Sequence, residues 1–166
     1  YEHELPRLSL FGEEHISKFK AKEAKKLLED LNKSITVKAF HEELVDNNTY
    51  LVESDVIIDA SGNIPTALLV EKEAKKVPVI YARASGAEGY VFIADDVRLR
   101  QITSFLEKMV PAKKGAVLGS TTRITAGLAA NKALKILTGQ RHEKNYLVVN
   151  GWKFTVDKQT VRKDRK

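Results

Sequence analysis

One stretch narrows the fold more than any other. Val56-Ile57-Ile58 is an apolar run without alternation that ends at Asp59, the pattern of a strand covered on both faces in a parallel sheet. The polar connection Ala60-Ser61-Gly62-Asn63 follows, and then a helical pattern that runs to about Lys76 with Pro65 in its first turn, where a missing N–H costs nothing. Residues 78–82 read as a second buried strand. The first of these strands is the expected centre of the sheet.

Around this unit the remaining segments alternate between helix and strand. Phe19, Ala24, Leu27, Leu28 and Leu31 recur at three- and four-residue spacing among lysines, which predicts an amphipathic helix over 17–32. Ile35, Val37 and Ala39 alternate with Thr36 and Lys38 and predict a strand. A turn at 86–89, a strand over 90–94 and a helix capped by Asp95 or Asp96 and running to Met109 come next, stopping before Pro111. Gly115 and Gly119 bound a connection to a long helix over 121–138 that Gly139 closes. Ala126, Gly127, Ala129, Ala130 and Ala133 give that helix a small-residue face for close packing. Tyr146 to Val149 and Trp152 to Val156 flank Asn150-Gly151, a strong hairpin signal, with Trp152 and Tyr146 expected to pack across the strands. The prediction is one α/β domain over residues 1–166, with a Rossmann-like, mainly parallel sheet and an antiparallel C-terminal hairpin.

Composition excludes several chemistries. The chain has no cysteine, so it offers no disulfide, thiol nucleophile or cysteine-ligated metal. His3, His15, His41 and His142 share no i, i+4 spacing and read as surface or structural residues. No apolar run approaches the roughly 20 residues of a membrane span, and the expected setting is soluble and cytoplasmic. The basic excess, 28 Lys plus Arg against 22 Asp plus Glu, is concentrated at the end, where Lys158, Arg162, Lys163, Arg165 and Lys166 face Asp164 alone. That tail is either a solvated segment or a contact for phosphate.

Two groups of residues can carry chemistry. Asp59, Ser61, Gly62 and Asn63 lie where a strand hands over to a helix, and ligands bind there in open α/β sheets because free N–H groups at the helix start meet phosphate or carboxylate. The same residues also suit a plain connection, with Gly62 left-handed and Asn63 as cap. Lys18 and Lys20 open the first helix, with Arg7 upstream. These cations either hold a polyphosphate or form a solvated face. No G-x-G-x-x-G is present, so a glycine-rich fingerprint is expected upstream of Tyr1, and the chain is expected to be the downstream part of a longer polypeptide that lacks its first βαβ unit.

In order along the chain, the segments resemble the ThiF/MoeB/HesA family, the ubiquitin-activating-enzyme-like adenylyltransferases. Leu5-Pro6-Arg7 resembles the family's Asn-Leu-x-Arg-Gln, and Ile16-Ser17-Lys18-Phe19-Lys20-Ala21 resembles Ile-Gly-x-x-Lys-Ala. Val56 to Asn63 resembles the strand ending Asp-x-Thr-Asp-Asn. Pro78-Val79-Ile80 with Gly86 and Gly89 resembles the next strand and turn, and Ala129-Ala130-Asn131-Lys132-Ala133-Leu134-Lys135 resembles the helix Gln-Ala-x-Glu-Ala-Ile-Lys. Here the family's magnesium-binding Asp is Gly62, the residues flanking its Arg are Glu4 and Leu8, and the Arg of its following helix is Ala67.

The resemblance implies ATP as cosubstrate, magnesium as its ion, Arg7 and Lys20 on the phosphates and Asn63 beside them. It implies transfer of AMP to a carboxylate, foremost the C-terminus of a ubiquitin-like sulfur carrier protein. The assembly it implies is a homodimer or a complex with an upstream fragment. Other readings are a small-molecule carboxylate or a tRNA-borne one as acceptor, a non-catalytic binding subunit, and a nicotinamide-dependent dehydrogenase built on the second half of a dinucleotide fold.

Overall fold

The computed structural model describes residues 2–94, 107, 116–141 and 145–160. The chain divides into two compact units, Tyr1–Glu43 and Leu44–Lys166. In the first unit, short helical turns at Glu2–Arg7 and Glu13–His15 precede helix α1, Lys20–Leu31. The helix therefore starts three residues later than its periodicity predicts. Ser17 holds a left-handed φ of 66°, which breaks the chain direction before Lys18, so Lys20 and not Lys18 occupies the first turn.

The strand predicted around Ile35 to Ala39 does not form. Its backbone groups have other partners, since Val37 N–H donates to Glu29 Oε1 at 2.9 Å and Lys25 Nζ donates to Val37 O at 2.6 Å. Two α1 side chains thus satisfy the hydrogen-bonding groups that a sheet ladder would otherwise use. Alternation was visible in the sequence, but the partner was a helix surface.

The second unit is a five-stranded sheet in the order β1-β2-β3-β4-β5, comprising Ile57–Asp59, Val79–Ser85, Glu88–Ala94, Asn145–Asn150 and Thr155–Thr160. β1 and β2 pair in parallel, with Ile57 opposite Val79 and Asp59 opposite Tyr81. The following ladders are antiparallel. The α/β class, the parallel crossover at the start and the antiparallel hairpin at the end are as expected, while of the four ladders among the described strands one is parallel and three are antiparallel. β1, however, lies at an edge of the described sheet and not at its centre. With a neighbour strand along one side only, its middle residue Ile58 remains 46% exposed.

Helices cover both faces of the sheet. Helix α2, Ile64–Ala74, buries Ala67, Val70 and Ala74 against Val79, Tyr81, Phe92 and Ala94. Helix α3, Gly119–Leu137, buries Ala129 and Ala133 against Ile80, Val91, Ile93 and Leu147 on the other face. Val79 and Tyr81 point one way and Ile80 the other, as the two-residue period of a strand requires.

The small-residue face of α3 is only half used. Ala126, Gly127 and Ala130 are exposed, whereas Thr121, Thr125, Ala129 and Ala133 form the buried i, i+4 row. Close approach comes instead from the sheet, because a Cβ at Gly89 would overlap Thr125 and one at Gly151 would overlap Thr121. Gly139 closes α3 at φ 68°, its N–H reaching Ile136 O at 3.0 Å while Gln140 N–H reaches Lys135 O at 2.8 Å.

The terminal hairpin differs in its turn. Pairing ends at Asn150 with Thr155, so four residues, 151–154, make the connection in place of a two-residue Asn-Gly turn. Gly151 N–H is drawn to Ala87 O at 2.7 Å, and Asn150 Oδ1 accepts from the N–H groups of Trp152 and Lys153. Trp152 and Phe154 consequently sit exposed in the turn, and only Tyr146 makes the expected cross-strand contact, to Gln159. The helix predicted up to Met109 lies outside the described residues except for helical Glu107. Gly115, His142 and the tail from Val161 onward lie outside them as well.

Candidate functional site

Each unit contains one of the two groups of residues singled out in the sequence. In the first unit, Arg7 and Lys20 are brought together by Glu4, which in the sequence stands out only as a departure from the family pattern beside Arg7. Glu4 accepts from Arg7 Nη2 at 2.6 Å through one oxygen and from Lys20 Nζ at 2.7 Å through the other. The Glu4 side chain is 12% exposed, against 43% for Arg7 and 52% for Lys20, so the carboxylate lies beneath two cations that face solvent. The Lys20 hydrogen bond above all, with Arg7 contributing, holds the Glu4 carboxyl at about 2.

Glu4 and Lys20 border a cavity of about 540 Å³ whose lining also includes Phe11, His15, Phe19 and His41. Two of the histidines shape its wall. His15 Nδ1 accepts from Gly12 N–H at 3.0 Å, and its ring meets the edge of Phe11. The His41 ring lies 3.7 Å from the Phe19 ring centre to centre. Both have the structural role that their spacing implied.

In the second unit, β1 delivers Asp59 to the start of the connection and α2 begins after it. Ser61 N–H donates to Asp59 Oδ1 at 2.8 Å, Asn63 N–H to Ser61 Oγ at 3.3 Å, and Thr66 N–H to Asn63 Oδ1 at 3.2 Å. Gly62 lies between them at φ 67°, a conformation that glycine adopts without strain. Asn63 is therefore the N-cap of α2. The side chains of Asp59 and Ser61 accept bonds from the connection's own backbone, and that of Asn63 from the first turn of α2.

Asp59 has a further partner that periodicity alone did not reveal. Arg83, two residues beyond Tyr81 on β2, donates through Nη2 to Asp59 Oδ2 at 2.9 Å and through Nη1 to the Asp59 carbonyl at 2.8 Å. Nη1 also reaches Ala82 O at 3.1 Å. The two side chains are 5% and 2% exposed, and Arg83 Nε is buried without a hydrogen-bond partner. The predicted strand stops at Ala82, one residue before Arg83 and three short of the strand's end at Ser85. The signal was the shared parity of Val79, Tyr81 and Arg83, which puts a guanidinium on the face where Asp59 emerges.

This pairing decides whether the loop suits magnesium. A hard cation needs carboxylate or other oxygen donors in an open arrangement. Gly62 supplies no side-chain oxygen, and the Asp59 carboxylate is occupied by Arg83 and by Ser61 N–H. Among the described residues no group of three His, Cys, Asp or Glu could hold a metal ion. The donor set does not fit the ion, and no chemical step is assigned to it.

Farther along the same face, Tyr81 donates to Glu71 Oε2 at 2.9 Å and stacks on Phe92. Burial raises the Glu71 carboxyl above its ordinary range. Burial, together with the bond to Glu88, pushes the Tyr90 hydroxyl up to about 12. These groups are packing elements with satisfied polar ends.

Comparison with known proteins places these features in context. The model of the ThiF family matches residues 2–166. The adenylyltransferase and sulfurtransferase MOCS3 of Culex quinquefasciatus is 26% identical over 145 residues, covering 81% of this chain and 33% of its own length. The vegetative protein HesA of Trichormus variabilis is 28% identical over 170 residues, covering 98% of this chain and 64% of its own. A crystal structure of Escherichia coli MccB with ATP superimposes with a TM-score of 0.77 at 17% identity, over 96% of this chain and 53% of that one. The chain thus spans between a third and two thirds of the length of these relatives.

Proposed function

The chain belongs to the ThiF family, and from that premise we propose that it takes part in ATP-dependent adenylylation of a carboxylate. A carboxylate oxygen attacks the α-phosphorus of ATP, the bond to the bridging oxygen breaks, and pyrophosphate leaves with its electron pair. The product is an acyl adenylate, whose AMP is a good leaving group. The protein's contribution to such a step is positioning and charge stabilisation. Arg7 and Lys20 are the proposed contacts to the phosphates, and the α2 N-terminus at Asn63, with Ser61 and Gly62, is the proposed second contact region.

The observation that carries this reading is the convergence of Arg7 and Lys20 on one carboxylate, in a chain that the family model matches across both units. That continuous match supports treating residues 1–166 as part of a single adenylyltransferase domain. The glycine-rich loop of the family has no counterpart in these residues, and another segment or another chain is the proposed source of that phosphate cradle. The favoured acceptor is the C-terminus of a ubiquitin-like sulfur carrier, supported by the adenylyltransferase and sulfurtransferase activities named for MOCS3. A homodimer, or a complex with an upstream fragment, in the cytoplasm completes the reading. No helix among the described residues is long and apolar enough to cross a membrane.

The pairing of Asp59 with Arg83 beside Gly62 favours a second reading, a nucleotide-binding subunit with little turnover of its own. Isotope exchange between pyrophosphate and ATP separates the two. Exchange that depends on an added carrier protein or small carboxylate supports adenylylation. ATP binding without exchange, whatever the carboxylate, leaves the binding subunit.

A further inference from the structure

Glu4 stands in an unusual position for a residue beside proposed phosphate contacts. It carries the same sign of charge as the ligand, it bridges both cations at 2.6 and 2.7 Å, and it is more buried than either. A phosphate that takes the same donors of Arg7 and Lys20 must displace these charge-assisted bonds, or bind beside a carboxylate that repels it.

We propose that Glu4 is an internal anion that occupies the Arg7–Lys20 pair in the free chain and is exchanged for phosphate when nucleotide binds, so that Glu4 sets the affinity for polyphosphate. The proposal rests on the reading of Arg7 and Lys20 as phosphate contacts. It adds a residue that opposes binding and a sign that can be measured. While the carboxylate is in place, the two cations and Glu4 carry one net positive charge between them. Release of Glu4 exposes both charges to the ligand.

The exchange also explains how two long, exposed side chains are held together without a ligand. Side chains of this type lose rotamer entropy when fixed. The carboxylate meets that cost in the free chain, and phosphate inherits an ordered pair. Glu4 therefore lowers affinity through charge while limiting the loss of order on binding, and the charge effect is expected to dominate.

The test is calorimetric titration of ATP and of inorganic tripolyphosphate into the full chain and its variants. Glu4→Gln and Glu4→Asn are each expected to tighten both ligands about two- to fivefold, the range set by partly exposed ion pairs. Lys20→Ala is expected to weaken binding more in the Glu4→Gln background than in the unaltered chain, because only there is Lys20 uncompensated. Lys25→Ala, on the same helix, is the control and leaves affinity unchanged. In the unaltered chain, tripolyphosphate is expected to shift the carbon resonance of the Glu4 carboxyl group as its bonds are released, a readout that needs no variant to fold. If Glu4→Gln leaves affinity unchanged or weakens it while Lys20→Ala still weakens it, the exchange is wrong and the phosphate reading stands. A Glu4 resonance that stays still while tripolyphosphate binds is equally decisive against it. If neither Lys20→Ala nor Arg7→Ala alters affinity, or no variant binds either ligand, both readings fall.

Discussion

Arg83 holds Asp59 by side chain and main chain together, one guanidinium nitrogen on the carboxylate at 2.9 Å and the other on the carbonyl at 2.8 Å. The contact joins neighbouring parallel strands at the point where β1 ends, so it fixes the direction in which the chain leaves the sheet. Removing one member of such a pair strands a buried charge and costs about 3–5 kcal/mol. Arg83→Met is therefore expected to lower unfolding free energy by that amount, and Arg83→Met with Asp59→Asn to recover part of it. Denaturant titration measures both, and a double variant no better than Arg83→Met would show that the pair is not coupled.

Close packing of α3 on the sheet gives a second expectation. Gly151→Ala directs a methyl group into the Thr121 hydroxyl, and overpacking of this kind costs about 1–3 kcal/mol. Thr121→Ala removes the obstructing oxygen, one that has no hydrogen-bond partner of its own. Thermal melting of the double variant is expected to lie above that of Gly151→Ala alone. If Gly151→Ala melts like the unaltered chain, the close approach is absent.

The Glu4 ion pairs predict a dependence on pH. The folded carboxyl lies at about 2 against an ordinary 4.5, with the Lys20 bond as the main cause. A carboxylate lowered in this way contributes stability that is fully present above the unfolded value and is lost as pH falls through the folded one. At pH 7 the Glu4→Gln chain is expected to melt below the unaltered chain, and the gap is expected to narrow below about 4.5 and close near 2. A gap independent of pH from 7 to 2 would assign the loss to packing.

Gly62 supplies a test of chemistry. Its Cβ position is open, with nothing within 4 Å, but its φ is 67°, so Gly62→Asp carries a backbone cost of about 1–2 kcal/mol without a clash. The unaltered protein is expected to bind ATP yet exchange pyrophosphate slowly, and Gly62→Asp to quicken the exchange when magnesium is added. Fast magnesium-dependent exchange by the unaltered protein would show that other residues hold the ion.

Local rules carried the sequence reading where a residue's partner lay a few positions away. Asn63 as cap, Gly139 as helix stop and the helical periodicities of α1 and α2 all depend on neighbours within one turn. The reading stopped where register between distant strands decides. Arg83 meets Asp59 across 24 positions, and nothing in either strand's own pattern states that they are adjacent. The edge position of β1 in the described sheet and the failure of residues 35–39 to form a strand have the same origin. Alternation reports which groups seek a partner, but not which partner reaches them first. The Arg7–Lys20 cluster was legible as two cations and incomplete without Glu4.

The two glycines beneath α3 bear on the order in which the sheet is assembled. β2 with β3, and β4 with β5, are hairpins of neighbouring segments, whereas β3 ends at Ala94 and β4 begins at Asn145. Closing that gap is the slow, non-local event, since long loops cost entropy before their contacts form. Gly89 belongs to one hairpin and Gly151 to the other, and both receive the same turn of α3. Thr121 and Thr125 thus act as a clasp that the two hairpins share. We expect the rate-limiting step of folding to be the docking of this turn, with Gly151→Ala, which obstructs it, slowing refolding in proportion to the stability it removes. A variant that speeds unfolding and leaves refolding unchanged would mean that the hairpins meet before the clasp closes.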